Sequence, residues 1–118
     1  MVSDATIREA GQLLADAASS PARVLLIGSH AWGTPHDRSD IDFLVIEQQV
    51  DRKVREMAHL RDALPPLGVP VDVLVVSEAE AATRGKNPST LIHRALTHGV
   101  LIGQSGDPAN RAQSATPE

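Results

Sequence analysis

Two aspartates, Asp40 and Asp42, stand two apart at the head of an apolar run, and a third, Asp72, interrupts the run Val71-Asp72-Val73-Leu74-Val75-Val76. Side chains alternate across a strand, so carboxylates at this spacing point to one face. Two like charges that close repel unless a cation sits between them. Mg²⁺ suits the place, because it prefers hard oxygen ligands and commonly takes one or two carboxylates plus substrate phosphates. Asp72 among valines carries a desolvation cost of several kcal/mol unless it is paired or solvated. If its strand lies beside that of Asp42, all three carboxylates reach one site, and two metal ions about 3.5–4 Å apart could clamp both oxygens of an in-line phosphoryl displacement. Upstream, Gly28 and Ser29 leave another apolar run at a turn. There a missing Cβ lets backbone approach a ligand closely, and N–H groups with a hydroxyl can hold phosphate oxygens. Gly33 permits a second close approach, and Ser39 completes the set of candidate nucleotide-binding residues, Gly28, Ser29, Gly33 and Ser39.

These residues need strands and helices to place them. Residues 3–20 read as a helix capped by Ser3 or Asp4, with Ile7, Ala10, Leu14 and Ala17 at helical spacing and Pro21 as its end. Residues 22–27 are a short apolar strand entering a tight loop at Gly28, and the loop runs to Ser39. A second strand covers 41–46. Val50, Val54, Met57, Leu60 and Leu64 then trace the apolar stripe of a second helix, closed by Pro65-Pro66, with Asp51, Arg52, Lys53, Arg55 and Glu56 on its wet face. Residues 71–76 form a third strand, and Ser77-Glu78-Ala79-Glu80 matches a capping box. Ser89 caps a last helix through His98, Gly99 stops it, and 100–102 make a short edge strand. The fold class is therefore α/β (α+β), a small mixed β-sheet with helices packed on one face. One domain spans 1–103, followed by a Gly, Ser, Pro, Asn and Gln rich tail over 104–118 that reads as disordered.

Composition narrows the function. The chain has 118 residues and is 42% hydrophobic, enough for one core. Its only aromatics are Trp32 and Phe43, so no stacking platform for single strands exists. Trp32 reads as a packing residue that pins the loop. A net charge of -4 argues against a broad electrostatic grip on nucleic acid. With no cysteine and no segment approaching the ~20 apolar residues of a membrane span, the protein reads as soluble and cytoplasmic. His93 and His98, five apart on a helix, diverge and make a poor metal pair; they read as surface residues.

Gly28-Ser29, ten intervening residues, Asp40-x-Asp42 and a later strand aspartate resemble the nucleotidyltransferase superfamily that includes DNA polymerase beta. The short length and the ending Leu91-Ile92-His93-Arg94-Ala95-Leu96-Thr97-His98-Gly99-Val100-Leu101 are most similar to the minimal nucleotidyltransferases (MNT), antitoxins of HEPN–MNT toxin–antitoxin pairs. The similarity runs over about residues 5–103. It implies that Asp40 and Asp42 bind two Mg²⁺ ions, that Asp72 binds the catalytic one and helps deprotonate the acceptor, and that Gly28 and Ser29 hold the β- and γ-phosphates of ATP. It also implies transfer of AMP to a tyrosine of a HEPN-family toxin, with a hetero-oligomer of the two as the natural assembly. The chain lacks tyrosine, so such an acceptor lies on another molecule. The loop cation that helps neutralise triphosphate has three candidates, Arg38, His30 and Lys86. Neutralisation of the toxin by contact alone, and a stand-alone transferase acting on a small acceptor or RNA, are the competing readings.

Overall fold

In Ala22–Ile27 (β1) and Ile41–Glu47 (β2), two short apolar runs, nearly every residue is buried. Strands of this kind need cover on both faces. The computed structural model, which describes residues 2–35 and 39–106, supplies it. Val71–Ser77 (β3) and Val100–Gln104 (β4) complete a four-stranded sheet in the order β3-β2-β1-β4, with β1 antiparallel to both neighbours and β2 parallel to β3. Asp4–Ala17 (α1) and Lys53–Asp62 (α3) lie on one face. There Ile7, Leu14 and Leu60 pack on Val24, Phe43 and Val75. Glu78–Arg84 (α4) and Leu91–His98 (α5) lie on the other, bringing Ala81, Ile92 and Ala95 against Leu25, Leu44 and Ile46. The mixed α/β class holds, but helices cover two faces rather than the one expected, because alternate residues of β1 and β2 are apolar on both.

Capping follows side-chain chemistry. Ser3 accepts from the Thr6 amide at 3.1 Å and Ser77 from the Glu80 amide at 3.0 Å, each satisfying a donor the helix itself cannot. The cap of α5 is Thr90, accepting from the His93 amide at 3.1 Å, rather than the Ser89 that the sequence predicts. Ser89 is instead occupied one turn earlier, its amide and hydroxyl both donating to Asn87 Oδ1. The His93 ring is half-buried and donates through Nδ1 to the Gly85 carbonyl at 2.7 Å, so it braces the α4–α5 turn rather than lying free on the surface.

The register of α3 departs most from expectation. The helix begins at Lys53, and its buried residues are Glu56 and Leu60, while Val54 is 79% exposed. Glu56 belongs to the core rather than the wet face because the end of α1 supplies donors: the Ser19 amide at 2.9 Å and hydroxyl at 2.7 Å. Beside it Glu47, the last residue of β2, is fully buried. Burial first, then the neighbouring Glu56, pushes the Glu47 carboxyl up to about 8, while Glu56 is lowered despite its own burial by bonds from Glu47 and Ser19. At neutral pH the pair therefore holds one proton between them.

Candidate active site

The site forms where three strands meet at one end of the sheet. β1 runs out at Ile27, opposite Asp42 of β2, and in the parallel pairing Asp42 stands opposite Asp72 of β3. Gly28 turns the chain with φ +79°, a left-handed conformation that L side chains rarely adopt, and a Cβ placed on it would run into Asp42 Oδ2. Glycine is thus required twice over, and the turn lies directly against the central carboxylate.

Immediately after Gly28 the chain makes a single helical turn, Ser29–Trp32 (α2), in place of the irregular loop that the sequence predicts. The Ala31 and Trp32 amides donate to the Gly28 carbonyl at 2.9 and 3.0 Å, and the Gly33 amide to the Ser29 carbonyl at 3.1 Å. The close approach at Gly33 is made by its own chain, since a Cβ there would lie 3.0 Å from Ser29 Cα. Ser39 is buried, and its carbonyl faces His30 Nε2 at 3.4 Å.

Asp42 is the electrostatic centre. Burial raises its carboxyl above the ordinary range, repulsion from Asp72 and then Asp40 raises it further, a side-chain bond to Asp72 adds to this, and only His30 opposes. Asp72 and Asp40 thus both act on Asp42, and Asp42 and Asp72 stand opposite one another in the register of β2 and β3. Asp72 is exposed on the edge strand, so solvent relieves the burial cost expected for a charge among valines. Asp40 is exposed just ahead of β2. Among the described residues no three acidic or imidazole side chains already enclose a metal position. The donors are nonetheless the hard oxygens that suit a small divalent cation, and a pair in mutual repulsion gains most from one.

Of the cation candidates, His30 lies at the site; Lys86 sits on the exposed turn after α4, and Arg38 falls outside the described residues, as do His36 and the tail over 107–118. One cation had no sequence signal. Arg94 of α5 places its guanidinium 4.5 Å from the centre of the Trp32 ring. Trp32 is otherwise packed against the cluster of Leu25, Ile27 and Ile92, as a pinning residue should be.

A cavity of about 350 Å³ at the opposite end of β2, lined by Ser19, Ser20, Glu47, Arg52, Arg55 and Glu56, surrounds the proton-sharing pair and lies away from this chemistry. Among the described residues no helix is long and apolar enough to cross a membrane.

Residues 7–98, which contain the turn and all three aspartates, match the family model described as nucleotidyltransferase domain. No curated protein matches the chain. A solved structure described as the crystal structure of the toxin-antitoxin with AMP-PNP superposes with a TM-score of 0.51 at 23% identity, covering 96% of this chain and 81% of that one. At that identity the likeness is one of fold.

Proposed function

The chain belongs to the nucleotidyltransferase domain family, and from that premise we propose that it moves AMP from ATP to a hydroxyl of a partner protein, and so acts as an antitoxin. The observation that carries this is the row Gly28, Asp42, Asp72 across three adjacent strands, with Asp40 acting on Asp42 from the chain just before β2.

Asp40, Asp42 and Asp72 would hold Mg²⁺, which when bound supplies charge neutralisation at the transferring phosphoryl group. The Gly28–Ser29 turn offers amides and a hydroxyl to the β- and γ-phosphates. The acceptor oxygen attacks the α-phosphorus, the bond from that phosphorus to the bridging oxygen breaks, and pyrophosphate leaves with the electron pair. The acceptor proton passes to the Asp72 carboxylate, which solvent reaches. Catalysis here is chiefly positioning and electrostatic stabilisation.

The chain has no tyrosine, so an acceptor of that kind comes from another molecule. Likeness to a toxin–antitoxin structure with an ATP analogue supports a toxin as partner. The finer reading is a HEPN-family toxin modified on tyrosine. Neutralisation by contact draws support from a different observation: Leu91 and Leu96 of α5 and Val100 and Leu101 of β4 are exposed, apolar side chains available to a bound protein.

Co-expression with the proposed partner toxin separates the two. Asp72→Asn is expected to abolish protection while leaving the protein soluble, since Asp72 is exposed. Protection as good as wild type would hand the function to contact.

A further inference from the structure

Among the described residues of the loop, 28–35 and 39, none is Lys or Arg, and Arg38 lies outside them. Asp40 and Asp72 both act on Asp42 at the same end of the sheet. A triphosphate brings more negative charge to that place, and hydrogen bonds from ionised donors are the strong way to hold it. A cation arrives from another element. Arg94 of α5 lies with its guanidinium 4.5 Å from the Trp32 ring centre, and Trp32 ends the single helical turn that Gly28 opens, its amide bonded to the Gly28 carbonyl at 3.0 Å. The ring is itself packed against the apolar cluster that includes Leu25, Ile27, Ile92 and Ala95, two of which share the helix of Arg94. Arg94 is exposed, and among the described residues no carboxylate forms an ion pair with it. A guanidinium stacked on an aromatic face keeps its donors in the outward plane, suited to phosphate oxygens.

We infer that Arg94 is the cation that meets the phosphates of the bound nucleotide, with Trp32 as the positioning residue that presents it to the Gly28–Ser29 turn. This rests on the transferase reading above. It makes the phosphate site a shared product of the β1 turn and α5, and gives the lone tryptophan a role beyond packing.

Isothermal titration of the full chain with MgATP, inorganic tripolyphosphate and AMP tests it. Arg94→Ala is expected to weaken MgATP and tripolyphosphate by about 10–100-fold while AMP changes little. Arg94→Lys should recover part of the loss, and Trp32→Phe, which keeps a ring, should stay near wild type. Trp32→Leu should match Arg94→Ala, and the double variant should be no worse than either alone, as for two residues acting as one unit. In transfer assays the loss should appear in KM more than in kcat. MgATP affinity of Arg94→Ala within about twofold of wild type, or an equal loss for AMP and ATP, would overturn the inference and leave the stack a packing contact. A wild-type chain that binds none of the three probes would overturn this and the transferase reading together.

Discussion

Asp42→Asn is expected to lower nucleotidyl transfer by at least about 1,000-fold while leaving the folded protein as stable as wild type or more so. The two halves of that result have one cause. Asp42 lies between Gly28 and Asp72, partly buried, with its carboxyl raised by burial and by the repulsion of Asp72 and Asp40. A raised folded-state carboxyl contributes stability below its ordinary value and loses it as pH climbs through the folded one, so at neutral pH the charge works against the fold. Asparagine keeps the shape, removes the charge and relieves that penalty. The same charge is what would hold a divalent cation, which in turn would neutralise the migrating nucleotidyl group. Transfer rate and thermal melting, measured on one preparation, should therefore move in opposite directions; a variant that loses melting temperature in step with activity would make Asp42 a structural residue.

The second large effect lies at the other end of β2. Glu47→Gln should flatten the alkaline side of the stability profile, removing a wild-type loss on the order of 2–4 kcal/mol between about pH 5 and pH 9. Glu47 is fully buried, and its carboxyl is pushed from 4.5 to about 8. Its contribution is complete below the ordinary carboxylate value and disappears as pH rises through 8. Glu56, lowered by its bonds from Glu47 and Ser19, works in the opposite sense and loses its contribution in acid. Wild type should thus be most stable near the ordinary carboxylate range. Glutamine donates permanently where the shared proton donates only below its titration. Glu47→Leu, which strips the donor and leaves Glu56 charged and buried, should destabilise at every pH above that range. Denaturant midpoints taken across pH decide the matter, and parallel curves for wild type and Glu47→Gln would contradict a shared proton.

Legibility in the sequence followed the range of the interaction. Apolar runs bounded by Gly28, Pro21 and Pro70 marked three strands to within a residue, and the spacing of Asp40 and Asp42 with an isolated Asp72 foretold their meeting, because strand alternation and neighbouring strands are local rules. The family resemblance named from those residues agrees with the matched nucleotidyltransferase domain. Four-residue α2 was too short for periodicity to reveal. Glu56 looked solvated among charged neighbours; partners far off in sequence, Glu47 and Ser19, make its burial tolerable. Arg94 on Trp32 left no trace in either segment alone, since neither helical spacing nor composition encodes which helix a ring will face. Cover on both faces departs from the one-sided packing expected, and its physical reason is the unbroken apolar runs of β1 and β2, which alternate poorly for a one-sided sheet.

Position of the label in ATP tests the central claim most directly. With Mg²⁺ and the proposed partner toxin, ATP labelled on the α-phosphate should deposit label on that partner, ATP labelled on the γ-phosphate should not, and pyrophosphate should appear in equal amount. Label arriving from the γ-phosphate, or from neither with any nucleoside triphosphate, would contradict a nucleotidyl transfer at Asp40, Asp42 and Asp72.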